Sequence, residues 1–115
     1  MNQFESLPVI SVEQLAERLK DPDGLQLIDV REPEEVAIAV IEGFEVLSLS
    51  QSQQWSSDIS QRFDPHKETF VLCHHGMRSA QMCLWLVNNG FTNVKNITGG
   101  IAAYSTRVDN TIPEY

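Results

Sequence analysis

The amino-acid sequence predicts one α/β domain over residues 1–115, built on a parallel sheet of about five strands with helices on both faces. Two observations predict this fold. Short apolar segments typical of strands alternate along the chain with segments of helical periodicity. No internal repeat or flexible linker divides the chain, and its length suits a single modest core. In such sheets, functional sites form at the carboxyl ends of strands.

The first elements carry clear start and stop signals. Ser11 is the expected N-cap of a helix, and Gln14 completes a capping box three residues later. The segment DPDG, residues 21–24, ends that helix. The mostly apolar LQLIDV, residues 25–30, predicts a buried strand. Pro33 then suits the first turn of a second helix.

The middle of the chain continues the alternation. EVLSLS, residues 45–50, alternates apolar and polar side chains and predicts another strand. Trp55, Ile59 and Phe63 recur every four residues, which indicates a helix with one apolar stripe facing the core. Residues 9–10 can add a strand at the sheet edge.

The second half contains the clearest elements. TFVLC, residues 69–73, predicts a buried strand, and SAQMCLWLVNNG, residues 79–90, predicts a helix closed by Gly90. NVKNI, residues 93–97, predicts a further strand. GGIAAYSTRV, residues 99–108, predicts a turn and a final helix.

Composition and charge exclude several classes of partner. The net charge of −8 argues against nucleic acid and against an anionic membrane surface, because both require clustered lysine and arginine. The apolar run VAIAVI, residues 36–41, is too short to cross a bilayer, and the first ten residues lack the pattern of a signal peptide. Two cysteines cannot build a secreted disulfide framework. We therefore expect a cytoplasmic protein with an exposed, reduced thiol.

Chemistry is predicted at the loop CHHGMR, residues 73–78. Cys73 stands where a buried strand ends, and Ser79 begins the next predicted helix. Backbone N–H groups near a helix N-terminus can converge on an anion, so a sulfur held there is favoured as a nucleophilic thiolate. Gly76 permits the tight curl that such a loop needs. Arg78 can brace the loop, bind an anionic substrate, or do both.

The remaining loop residues have alternative roles. His74 and His75 are expected either to line the entrance and attract anionic donors when protonated, or to be plain solvent-exposed side chains. A metal site is disfavoured, because adjacent side chains on a tight loop diverge and no second Cys or His cluster completes a ligand set. Met77 forms an apolar rim or packs inward, and Ser79 is expected to cap the helix.

Cys83 is predicted to be a packing residue. It shares a helical face with Ala80, Leu84 and Val87, as core side chains do. The alternative is a resolving disulfide with Cys73, which would require the two β-carbons to lie within bonding reach.

Three segments, in order along the chain, resemble the rhodanese-like sulfurtransferase family. CHHGMRSA, residues 73–80, looks like that family's active-site loop, and LIDVREPEEVAIAVIEG, residues 27–43, is similar to its first-strand signature. VKNITGGIAAY, residues 94–104, resembles its closing strand, turn and helix. The resemblance implies a single-domain rhodanese-like fold. It also implies that Asp29 and Arg31, the family's Asp-x-Arg signature, form a structural ion pair near the site.

The resemblance implies sulfur transfer through Cys73. Its thiolate would take a sulfane sulfur from a small-molecule donor such as thiosulfate, forming a persulfide, and a thiol or protein acceptor would remove that sulfur. The backbone amides from His74 to Ser79, with Arg78, would form the anion cradle. This chemistry needs no metal and no organic cofactor.

Two other functions stay open. A small cysteine phosphatase or arsenate reductase is one, but those enzymes place one residue more between the cysteine and the arginine than the four found here, His74 to Met77. The shorter loop fits a single sulfur better than a tetrahedral phosphate. The other is a non-catalytic binding or regulatory module on the same fold, against which the presence of Cys73 argues.

Overall fold

Five parallel strands form one sheet in the computed structural model, which describes residues 6–115. The strands are β1 (Val9–Ile10), β2 (Gln26–Asp29), β3 (Glu45–Val46), β4 (Thr69–Leu72) and β5 (Val94–Ile97). Their order across the sheet is β1-β5-β4-β2-β3, and every neighbouring pair is parallel. The predicted α/β fold class is confirmed, and β4 lies at the centre of the sheet.

Helices cover both faces of the sheet, as predicted. They are α1 (Val12–Leu19), α2 (Pro33–Ile38), α3 (Ser52–Trp55), α4 (Ile59–Arg62), α5 (Met77–Asn88) and α6 (Gly100–Arg107). Successive residues of β4 face opposite sides: Val71 belongs to the core beneath α3, α4 and α5, whereas Phe70 and Leu72 belong to the core beneath α1 and α6. Among residues 6–115, no helix has the length and apolar character needed to cross a bilayer.

The start of α1 shows the predicted capping box. The backbone N–H of Gln14 donates to the Ser11 hydroxyl at 3.1 Å, and the backbone N–H of Ser11 donates to the Gln14 side chain at 3.0 Å. Two amides that have no partner inside the helix are thereby satisfied, which fixes where the helix begins.

The strand predicted at residues 45–50 is too long, because β3 ends at Val46. The chain leaves the sheet where side chains compete for its backbone groups. The Ser48 hydroxyl donates to the Arg31 carbonyl at 2.7 Å, and the indole N–H of Trp55 donates to the Ser48 carbonyl at 3.0 Å. A short 3₁₀ turn, Leu49–Gln51, follows instead of strand.

The helix predicted around Trp55, Ile59 and Phe63 is broken into α3 and α4, joined by a 3₁₀ turn at Ser56–Asp58. All three apolar side chains are nevertheless buried in one cluster. The four-residue spacing therefore identified the core face correctly, although it did not reveal the break.

Candidate active site

Cys73 directly follows the central strand β4, at the carboxyl edge of the sheet. The backbone N–H of Gly76 donates to its Sγ at 3.0 Å, and the Ser79 hydroxyl oxygen lies 3.2 Å from the same sulfur. Gly76 has a φ of +109°, a left-handed conformation that favours glycine and lets the loop curl back over the sulfur. The loop thus aims at least one amide dipole at Sγ.

The thiol of Cys73 is buried, not exposed as predicted, since only 1% of the residue is accessible. The cause is its position, because the residue directly follows the middle strand of the sheet and its own loop folds across it. Cys73 also belongs to the apolar cluster beneath α5. The sulfur is therefore enclosed, but its immediate polar partners are a backbone amide and a hydroxyl.

The start of α6 anchors the back of the loop. The N–H of Ile101 donates to the Cys73 carbonyl at 3.0 Å, and the N–H of Ala102 donates to the His74 carbonyl at 3.1 Å. A β-carbon at Gly100 would lie 2.4 Å from the His74 carbonyl oxygen and 2.5 Å from that of Cys73. The predicted glycine turn at residues 99–100 therefore lies against the loop, and the close approach requires glycine at its second position.

Arg78 is braced against α2. Its guanidinium donates to both carboxylate oxygens of Glu35, at 2.6 and 2.9 Å. This bidentate pair lowers the pKa of Glu35 to about 2 and raises the pKa of Arg78. The bracing role predicted for Arg78 is present in the structure, whereas binding of an anionic substrate stays a prediction.

Asp29 and Arg31 form a buried ion pair at the end of β2. The Nη2 atom of Arg31 lies 2.8 Å from Asp29 Oδ2, and its Nε lies 3.0 Å from Asp29 Oδ1. Arg31 is fully buried, so the fork of hydrogen bonds compensates for the loss of hydration. The structure therefore contains the ion pair that the Asp-x-Arg segment implied.

Tyr115 contacts the site although no pattern in the sequence pointed to it. Its hydroxyl donates to Glu35 at 2.9 Å and accepts a hydrogen bond from Arg31 at 3.0 Å. Its ring stacks on His74, with 4.0 Å between ring centroids and 7° between planes. One side chain thus links α2, the end of β2 and the Cys73 loop.

The two loop histidines lie close together. Their ring centroids are 3.9 Å apart, and burial, followed by the charge of His75, lowers the pKa of His74. Beside them is a cavity of about 240 Å³ whose lining is His74, His75, Ile101, Ala102, Thr106, Pro113, Glu114 and Tyr115. The two histidines line this cavity, but Cys73 is not part of its lining, so their predicted place at the entrance to the sulfur stays a prediction. The lowered pKa disfavours a charged His74 at neutral pH.

The outer and inner ends of the loop differ sharply in exposure. Met77 is 75% exposed, which fits the predicted apolar rim. Ser79 is fully buried and does not cap the helix, because α5 begins at Met77 with Gly76 as its N-cap residue. The Ser79 hydroxyl instead donates to Oδ1 of Asn96 on β5, at 2.5 Å. Sequence reasoning missed Asn96, which carries no motif of its own.

Cys83 packs in the core, as predicted. It is fully buried in the cluster that contains Cys73, and burial raises its pKa to about 12. Both cysteines are free thiols in this structure. Within residues 6–115, no three Cys, His, Asp or Glu side chains are grouped to hold a metal ion.

A comparison of the sequence with models of protein families agrees with this geometry. The family model of the rhodanese-like domain matches residues 11–107 of the chain. The chain belongs to the rhodanese-like domain family. The predicted recognition is therefore confirmed, and the matched residues include strands β2 to β5, the Asp29–Arg31 pair and the Cys73 loop.

Relatives of this rhodanese-like domain include named sulfurtransferases. A sulfurtransferase of Allochromatium vinosum is 31% identical over 96 residues, covering 84% of this chain and 86% of the relative. The Rhodanese-like/PpiC domain-containing protein 12, chloroplastic, of Arabidopsis thaliana is 48% identical over 118 residues. The match covers 100% of this chain but only 40% of that relative. The chain therefore spans less than half the length of that relative.

Solved structures agree on the fold. The rhodanese-like domain protein of Staphylococcus aureus superposes with a TM-score of 0.75 at 24% identity, covering 95% of this chain and 99% of that one. At that identity the similarity concerns the architecture alone.

Proposed function

We propose that this rhodanese-like domain is a sulfurtransferase that carries a sulfane sulfur as a persulfide on Cys73. The observation that supports this most directly is the hydrogen bond from the Gly76 N–H to Cys73 Sγ at 3.0 Å, at the carboxyl end of the central strand. A backbone amide aimed at sulfur stabilises negative charge there at the moment of attack. The sulfurtransferases among its relatives support the same reaction class.

The first half-reaction loads the sulfur. The Cys73 thiolate attacks the outer sulfur of the donor, an S–S bond forms on Cys73, and the donor's own S–S bond breaks. With thiosulfate as donor, sulfite leaves with the electron pair of that bond. The negative charge then resides on the outer sulfur of the persulfide, where the loop amides from His74 to Ser79 form the proposed cradle.

The second half-reaction transfers the sulfur from Cys73 to an acceptor. A thiolate, from a small molecule or a protein, attacks the outer sulfur and leaves as a new persulfide, while Cys73 regains its thiolate. Cyanide discharges the sulfur in the same way and leaves as thiocyanate. Neither half-reaction needs a metal or an organic cofactor, because both are displacements at sulfur. Since the first step needs the free thiol of Cys73 and the second an acceptor thiolate, we propose a reducing compartment, with the cytoplasm as our expectation.

The loop geometry favours sulfur over phosphate. Four residues separate Cys73 from Arg78, and Arg78 is already held by Glu35. A phosphatase cradle needs its arginine to grip two oxygens of a tetrahedral anion, and here a carboxylate occupies both guanidinium arms. Phosphatase or arsenate reductase activity is therefore the less favoured function.

The decisive experiment is intact-protein mass spectrometry after incubation with thiosulfate and, separately, with a low-molecular-weight persulfide. We expect a one-sulfur adduct on the wild-type protein, its loss in Cys73→Ser, its retention in Cys83→Ser, and its discharge by cyanide or a thiol. The absence of an adduct with both donors would count against the proposal and favour a binding module. Turnover of an aryl phosphate would favour the phosphatase.

A further inference from the structure

Asn96 reaches the catalytic loop from the neighbouring strand β5. It is largely buried, with 7% of its surface accessible. Its side-chain amide contacts the loop at two points. The Nδ2 atom donates to the Gly76 carbonyl at 3.0 Å, and the Oδ1 atom accepts from the Ser79 hydroxyl at 2.5 Å.

The direction of each hydrogen bond in this group is fixed by its chemistry. The Gly76 carbonyl can only accept, so the amide must present Nδ2 to it and therefore Oδ1 to Ser79. Because Oδ1 can only accept, the single hydroxyl proton of Ser79 is directed at Asn96. The 3.2 Å contact between Ser79 Oγ and Cys73 Sγ then leaves the sulfur as the donor, through an S–H group.

From this chain of contacts we propose that Asn96 is a positioning residue that holds the Ser79 proton away from Cys73, and so favours the thiol form of the resting site. Once the S–H proton leaves to water, a lone pair of Ser79 faces a negative sulfur. The hydroxyl must then turn from Asn96 to Sγ to stabilise the thiolate. Asn96 and the thiolate therefore compete for one proton, and the competition sets how much thiolate is present at a given pH.

The second contact of Asn96 acts on the loop backbone. Both backbone groups of Gly76 are hydrogen-bonded. Its N–H donates to Cys73 Sγ, and its carbonyl accepts from Asn96. In a trans peptide the N–H points opposite to the carbonyl, so the Met77 N–H is turned away from β5. Loss of the hydrogen bond between Asn96 and the Gly76 carbonyl loosens the loop. The experiment must separate this effect from the release of the Ser79 proton.

The other charged and titratable residues near the Cys73 thiolate are the same in every variant compared. Arg78 and Cys83 of α5 interact electrostatically with Cys73, and Glu35 of α2 acts through its pair with Arg78. His74 follows Cys73 in the chain. None of these residues is itself replaced in the Asn96 and Ser79 variants.

The test is the pH profile of Cys73 alkylation by iodoacetamide, located by peptide mass spectrometry. In Asn96→Leu the Ser79 proton is free to turn to sulfur. We expect the profile to move to lower pH, with alkylation about tenfold faster below the wild-type midpoint. In the Ser79→Ala background, Asn96→Leu should bring no such gain. Asn96→Asp keeps an acceptor for Ser79 while losing the bond to Gly76, so its profile should not move to lower pH.

The opposite pattern overturns the proposal. An unchanged or higher midpoint in Asn96→Leu, or an equal gain in the Ser79→Ala background, would show that Asn96 only supports the loop. If Asn96→Leu does not fold, as judged by circular dichroism, Asn96→Ala is used with the same expectations. The proposal depends on Cys73 being the nucleophile of the proposed function. However, alkylation requires no sulfur donor, so failure of sulfur transfer and failure of this proposal are distinguishable.

Discussion

Arg78 and Glu35 are joined by two parallel hydrogen bonds of 2.6 and 2.9 Å, although they lie 43 positions apart in the chain. The pair ties the first turn of α5 to α2, and with it the loop that carries Cys73. Glu35 also accepts from Tyr115, so its carboxylate is the meeting point of three segments.

Replacing Arg78 by lysine should impair the loop while keeping its charge. Lysine cannot offer the fork of two donors, so the loop loses its fixed position against α2. We expect the rate of persulfide formation to fall about tenfold, measured by intact mass against time. The matched control is Arg62→Lys, because Arg62 forms an exposed pair with Glu45 away from the site, and that change should leave the rate unaltered.

The stability of the protein should depend on pH through Glu35. Its pKa is lowered to about 2 in the folded state, so its ionised form stabilises the fold. This contribution is fully present above the ordinary pKa of glutamate and is lost as pH falls toward 2. Urea unfolding at a series of pH values should show wild type converging with Glu35→Gln as pH falls. Glu34→Gln, at an exposed site on the same helix, should show no such convergence.

Gly100→Ala should damage the site more than an ordinary glycine substitution. The new β-carbon would overlap the carbonyl groups of Cys73 and His74 at 2.5 and 2.4 Å, and φ is +61°. We expect a loss in the free energy of unfolding of more than about 2 kcal/mol, together with loss of persulfide formation. Gly24→Ala isolates the backbone cost, since φ is +80° there and nothing lies within 4 Å. It should cost about 1 kcal/mol and leave activity intact.

Tyr115 should control the protonation of His74 through its ring. Removal of the ring in Tyr115→Ala exposes His74, so the pKa of His74 should rise toward the ordinary histidine value. Tyr115→Phe keeps the stacked ring and should keep the pKa low, while losing the hydroxyl bonds to Glu35 and Arg31. Titration of the imidazole by NMR measures both. Equal His74 titration curves in the two variants would contradict the role of the ring.

The sequence predicted those features of the fold and site that are encoded locally. The strand that leads to Cys73, the capping box of Ser11, and the glycine turn before α6 follow from periodicity and turn chemistry within short segments. The beginning of α5 was placed two residues too late, because the positive φ of Gly76 lets the helix start inside the motif.

The contacts that the sequence did not predict join residues distant in the chain. Tyr115 meets Arg31 across 84 positions, and Ser79 meets Asn96 across 17. Such pairs depend on which strands become neighbours, and no local pattern reports that. The burial of Cys73 was missed for the same reason, since it follows from β4 lying between β2 and β5.

The enclosure of Cys73 has a consequence for selectivity. With 1% of the residue accessible, a sulfur stored there would be screened from oxidants and bystander thiols that diffuse past. Only a reactant small enough to enter the site, or one that displaces part of the Cys73 loop, would react with that sulfur. The same enclosure would slow the loading of sulfur onto Cys73 and prolong the lifetime of the persulfide. The domain would therefore protect the sulfur that it carries.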